Sequence, residues 1–142
     1  MRITRYASVD DVGRCINPLI VHGQTHGAIA QGVGQAMSEQ VYLDPDSGQP
    51  LTGSLMDYAM PRADTLPPFD TEIAEVLSPT NPLKAGGEGG TTAAPAAVVS
   101  GILDTLRSTG VRDIQMPATP YTIWSAIQNA KNVRPRAAGE GG

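Results

Sequence analysis

Glu88 stands between two glycine pairs, Gly86-Gly87 and Gly89-Gly90, directly before a stretch of small and apolar residues. Bare backbone on both sides removes side-chain cover, which lets a carboxylate project into a cleft. A carboxylate held there away from water has a raised pKa and suits general-base work, whereas a helix N-terminus beside it favours the charged form. The pattern alone fits equally a solvated glutamate in a flexible loop. The glycines also invite comparison with a phosphate cradle. A P-loop needs Lys and Ser/Thr after its last glycine, but here Lys84 precedes the loop and Thr91-Thr92 follow it. Anion binding by backbone N–H groups at a glycine-rich helix start stays open, and an NTPase is not expected.

A second group of polar residues lies between His22 and Gln31. His22 and His26 are one helical turn apart, but a zincin helix needs Glu immediately after the first His and Gly23 stands there. Without a third ligand nearby, no metal site is expected. Gln24 and Gln31 are neutral amides that donate and accept at once, which suits a heteroaromatic ligand as well as ordinary surface. Asp57-Tyr58 reads as a structural pair. Cys15 follows Arg14, which would activate a thiol, yet no base accompanies it and a buried thiol is the simpler reading.

These residues need elements to position them. Alternation and β-formers predict a strand over Arg2–Asp10, and Asp10-Asp11-Val12-Gly13 a turn, with Asn17-Pro18 biasing the chain away from helix. Ile29, Val33 and Met37 recur every four residues and predict a helix over Gln24–Gln40. Gly23, Gly27, Gly32 and Gly34 interrupt it, each interior glycine at a cost of about 1 kcal/mol, so bare backbone there serves close helix packing or approach to a ligand. Asp44–Gly48 is a turn between two short strands, Pro61–Pro68 is irregular, and Phe69–Leu77 alternates as a strand. A second helix is expected from Thr92, with Pro95 in its first turn, one apolar face from Val98 to Leu106, and Gly110 as its stop. Val111–Met116 reads as a strand. Thr119-Pro120 opens a third helix with Ile123, Trp124 and Ile127 facing the core, and 134–142 as a flexible tail. The fold class is α+β: short strands with about three helices.

Composition narrows the setting. With 142 residues the chain is one domain at most, and with one Phe, one Trp and four Tyr its core rests on small aliphatic side chains. Charged residues are only 17%, which points to surface covered by partners. No apolar run reaches the length of about 18 residues that a membrane span requires. The net charge of −4 with scattered Lys and Arg argues against nucleic acid. A single cysteine excludes an internal disulfide framework and fits a reducing, cytoplasmic setting.

Five segments in order resemble the molybdenum hydroxylase family of xanthine dehydrogenase, aldehyde oxidase and aerobic carbon monoxide dehydrogenase. They are Val9–Pro18, His22–Ala36, Asp57–Ala63, Lys84–Glu88 and Met116–Trp124. The likeness runs from about residue 2 to 130, to the C-terminal end of the molybdopterin-binding large subunit in its bacterial style. It implies that Glu88 is the catalytic base that deprotonates the attacking hydroxide in the hydroxylation step. It implies that Gln24 meets the cofactor, with His26, Gly27 and Gln31 in the same cofactor-facing segment. Gly86 and Gly87 would let the loop pass close to the metal centre. The cofactor implied is molybdopterin, as its cytosine dinucleotide in a bacterial member. FAD on a medium subunit and 2Fe-2S clusters on a small subunit would carry electrons away from a small substrate such as an aldehyde or N-heterocycle.

Family large subunits are several times longer, with the cofactor between two large domains. The expectation is therefore a last portion, residues 1–133, of the second cofactor-binding domain. It would be a split-gene subunit, a remnant or a truncated form, binding molybdopterin weakly or not at all without the remainder of the large subunit. Two rival readings stand beside it: a non-catalytic interaction or scaffold fragment of the same fold, and a free-standing anion- or nucleotide-binding domain at Gly86–Gly90.

Overall fold

The strands β1 (Tyr6–Asp10) and β2 (Phe69–Ile73) pair in parallel, Tyr6 opposite Phe69 and Asp10 opposite Ile73. Parallel neighbours cannot be joined by a hairpin. The chain crosses over through the helix α1 (Pro18–Met37) and a long connection holding one 3-10 turn at Ala63–Thr65. The helix α2 (Gly89–Leu106) packs against α1, and a 3-10 turn at Arg107–Thr109 ends on Gly110 in the left-handed conformation at φ 89°. The helix α3 (Pro120–Val133) follows. This computed structural model describes residues 1–133. The expected tail at 134–142 lies outside the described residues.

The α+β class and the three helices are as the sequence predicts, while several boundaries move for identifiable reasons. β1 starts at Tyr6 because its partner starts at Phe69, after Pro67-Pro68, which have no N–H to offer a ladder. β2 ends at Ile73 because β1 turns away: Ala74 N–H still reaches the Asp10 carbonyl (2.9 Å), but Val76 N–H donates to the Asp11 side chain (3.2 Å). α1 begins at Pro18, six residues before the expected Gln24, and Asn17-Pro18 opens the helix. The Asn17 side chain accepts from Ile20 N–H (3.3 Å), and proline at the first position lacks only an N–H that would go unbonded.

α2 likewise starts early, at Gly89, which leaves Pro95 inside the helix and not in its first turn. Asp44–Gly48 turns at Gly48 (φ 70°) but is flanked by a single antiparallel bridge, Leu43 to Pro50, without strands. Val111–Met116 is not a strand; Val111 and Ile114 are buried at a spacing of three, with no strand beside them. Trp124 is 57% exposed, so only Ile123 and Ile127 of the expected α3 trio pack inward. Asp57 accepts from Ser54 Oγ (2.7 Å) and Tyr58 pairs with Glu39, not with Asp57.

One core holds the elements together. Ile29, Val33 and Ala36 from α1 meet Val98, Ile102 and Leu106 from α2, and Val111, Ile114, Ala118 and Ile123 close the cluster. The crossing of the helices is tight at Gly32, where a Cβ would stand 2.6 Å from Ala94 Cβ. Close helix packing therefore explains Gly32, whereas Gly34 packs against Pro61 of the irregular connection.

Candidate functional site

The glycine run before α2 is seated on two elements at once. A Cβ at Gly86 would stand 3.0 Å from Val12, just past β1, and one at Gly89 3.0 Å from an Asp10 carboxylate oxygen. A Cβ at Gly90 would meet the Thr25 carbonyl at 2.9 Å and Ala28 Cβ at 3.0 Å, so α2 starts in contact with the middle of α1. The Thr91 hydroxyl donates to the Ala28 carbonyl (3.1 Å) and strengthens that seat. Glu88 is the residue immediately before α2. Its carbonyl accepts from both the N–H and the hydroxyl of Thr92 (3.0 Å each), while its carboxylate makes no capping bond and is exposed. Gly87 has open space where a Cβ would be.

The polar residues of α1 divide between two faces. Helical geometry puts Gln31 about 20° and Gly27 about 60° around the axis from Gln24, but His26 about 160° away. Gln24, Gly27 and Gln31 are all exposed, and Gly23 and Gly27 have nothing within 4 Å of an added Cβ. The glycines of α1 thus divide: Gly32 and Gly34 give close packing, and Gly23 and Gly27 leave bare backbone on an open face. Ala28, on the flank next to Gln24, is the residue that meets Gly90. Gln24, Gly27 and Gln31 therefore lie on the side of α1 that adjoins the Glu88 loop.

His22 and His26 turn the other way, onto β2. His22 Nδ1 (2.8 Å) and His26 Nε2 (3.1 Å) both hydrogen-bond the Thr71 hydroxyl, and the His26 ring lies 5.5 Å from Phe69. One hydroxyl donates a single proton, so at most one imidazole accepts from it and the other donates to it. His26 is thus set apart from Gln24 and Gln31 by the fold. Among the described residues no three His, Cys, Asp or Glu side chains gather as a metal-binding group. Cys15 is half-buried, and its N–H donates to Glu75 (2.7 Å). The sequence pattern singled out neither Thr71 nor Asp11, which receives bonds from three segments of the chain.

Two surface depressions lie elsewhere on the described residues. The larger, about 1430 Å³, lies between the end of α2 and α3, beside Arg107 and Tyr121. The other, about 890 Å³, lies beside Met37 and Met60. Neither is lined by Glu88, Gln24 or Gln31. The loop and the adjoining helix form an open face toward solvent, and not an enclosed pocket.

Comparison with known proteins places the chain in a family. Residues 1–67 match the model of a molybdopterin cofactor-binding domain. The gamma subunit of the 6-hydroxypseudooxynicotine dehydrogenase complex of Paenarthrobacter nicotinovorans is 42% identical over 130 residues, 89% of this chain and 16% of that protein. The carbon monoxide dehydrogenase large chain of Hydrogenophaga pseudoflava is 32% identical, again over 89% of this chain and 16% of that one. The crystal structure of quinoline 2-oxidoreductase from Pseudomonas putida 86 superposes with a TM-score of 0.85 at 40% identity, covering 91% of this chain and 16% of that chain. The class so defined is a segment of a molybdopterin-binding oxidoreductase subunit. The chain belongs to the molybdenum hydroxylase family, with xanthine dehydrogenase and carbon monoxide dehydrogenase, and spans about one sixth of the length of the relatives it matches.

Proposed function

We propose that the chain supplies the catalytic base and part of the cofactor pocket of a molybdenum hydroxylase large subunit, as its C-terminal portion. The observation that supports this most strongly is the seating of the Glu88 loop on α1 through Gly90, beside the face that presents Gln24, Gly27 and Gln31. That face fits a planar polar heterocycle. Space over Gly23 and Gly27 admits close approach to the backbone, and the two glutamine amides offer donors and acceptors without a charge. Molybdopterin, in our reading its cytosine dinucleotide, would be held there by Gln24, Gly27 and Gln31, with Gly86 and Gly87 keeping the loop clear of it. His26, held on the opposite face of α1 by Thr71 and Phe69, is not part of this cradle. When bound, the cofactor supplies the metal centre that accepts the electron pair released by the substrate.

Glu88 is the proton acceptor. Among the described residues its carboxylate is tied to no other side chain, so a carboxylate oxygen is free to take the proton of the attacking oxygen nucleophile. The rest of the large subunit would complete the pocket and exclude water, and a FAD-binding medium subunit and a 2Fe-2S small subunit would remove the electrons. The substrate is a small aldehyde, N-heterocycle or related compound. The names of the relatives near 40% identity, containing nicotine and quinoline, favour the heterocycle.

The test is to co-express the chain with the remainder of the large subunit and its partners and assay oxidation of N-heterocycles and aldehydes. E88Q lowers kcat by about 10²- to 10⁴-fold, the range for loss of a positioned base. Full activity in that variant overturns the assignment.

A further inference from the structure

The glycine loop owes its position to a small number of ties. Among the described residues Ala85, Gly86 and Gly87 make no hydrogen bond, so between its ends the stretch leading to Glu88 is held only by the contact of Gly86 with Val12. The downstream end is the contact of Gly90 with α1. The upstream end is Lys84, whose N–H donates to the Val12 carbonyl (3.1 Å) and whose ammonium donates to Asp11 Oδ2. The other oxygen of the same carboxylate accepts from Gly13 N–H (2.9 Å) and Val76 N–H (3.2 Å). Asp11 thus joins the end of β1, the exit of β2 and the entry to the Glu88 loop. Both side chains of the ion pair are about two-thirds covered, at 34% and 33% exposure, so this pair is better shielded than a surface one.

We propose that Asp11 is a positioning residue for Glu88, fixing the upstream end of the glycine loop through Lys84. The proposal rests on Glu88 as the base. Its physical content is orientational: glycines on both sides of Glu88 leave the carboxylate free to wander unless the chain is anchored close by, and misplacement by about 1 Å can cost about 10²-fold in rate.

The experiment uses the enzyme assembled from the full chain and the subunits that complete it. D11N keeps an oxygen for Gly13 and Val76 but loses the charge that holds Lys84; K84M removes the tie from the other side; K84R keeps it. D11N and K84M are expected to speed amide exchange at residue 84, whose N–H is bonded to the Val12 carbonyl, by about tenfold or more while α1 and α2 stay protected. They are expected to lower kcat by about ten- to a hundredfold with KM unchanged, and K84R to retain both properties. Unchanged exchange and kcat in D11N and K84M overturn the proposal. So does a general loss of protection across α1 and α2 with a parallel fall in melting temperature, the signature of a purely structural role. E88Q is run alongside. Loss of turnover in E88Q with K84M silent overturns the role of Asp11 alone. Full turnover in E88Q overturns the reading of Glu88, and the positioning role with it.

Discussion

A methyl group on Gly13 would lie 2.3 Å from the Pro82 carbonyl oxygen, on a backbone already in the left-handed region at φ 65°. Gly13 allows the segment 82–84 to pair with the end of β1 through Arg14 N–H to Pro82 and Lys84 N–H to Val12. G13A pays the left-handed penalty of about 1–2 kcal/mol and must also push that segment aside. It is expected to lower the urea midpoint of the chain and to speed amide exchange at Lys84 before any change in α1. Asp11, two residues earlier, gives a pH signature. Its carboxyl is held below the ordinary value of 3.8, first by the Lys84 hydrogen bond and then by the Gly13 N–H. A folded pKa below the unfolded one contributes stability that is fully present above the unfolded value and lost as pH falls through the folded one. On acidification below about pH 4 the wild-type chain should therefore lose stability more steeply than D11N, so that the gap between their urea midpoints closes. A gap that stays constant from pH 7 to pH 3 contradicts this.

The glycines of α1 make separate predictions at the level of the helix. Gly32 lies against Ala94, so G32V overpacks the α1–α2 crossing and should destabilise the chain by about 1–3 kcal/mol in urea unfolding. Gly27 faces open space, so G27A meets no atom and should stabilise α1 by up to about 1 kcal/mol. In the assembled enzyme the same methyl would enter the proposed cradle, and G27A should hold less molybdenum per chain while melting higher. Opposite signs in the two assays separate a cofactor face from an ordinary helix surface.

The helices were legible because their apolar residues repeat locally, as Ile29, Val33 and Met37 do, whereas their starts depended on details such as the Asn17 cap. The parallel pairing of β1 with β2 joins residues more than sixty positions apart and leaves no local pattern. Glu88 was visible through the glycines around it and Gln24 through family likeness. Thr71 and Asp11 were not, because their partners lie 49 and 73 residues away.

At the scale of the whole molecule, surface is the quantity that needs explaining. The chain exposes 10117 Å², whereas a compact monomer of 14.8 kDa exposes about 7,000 Å². Part of this surface is apolar: Leu19 is 84% exposed and Met56 93%, and Tyr121 and Trp124 stack against each other at 5.9 Å on the outside of α3. The sheet has two strands with no third beside either among the described residues, and so small a sheet is marginal without cover. The open face of the proposed site and a surface larger than the mass warrants have a common explanation if the rest of the large subunit lies against both. That explanation makes a quantitative prediction. Purified alone, the chain should hold well under about 0.1 molybdenum per molecule, because half a pocket cannot offset the entropic cost of fixing a ligand. Co-expressed with the remainder of the large subunit, it should hold close to one, measured by elemental analysis with the pterin quantified in parallel. Hydrogen exchange on the same two samples should show new protection at Leu19, Met56 and Trp124 and little change in the Ile29–Ile102 core. Stoichiometric molybdenum in the lone chain would contradict the shared-pocket reading, and a complex without molybdenum would leave a scaffold in place of an enzyme.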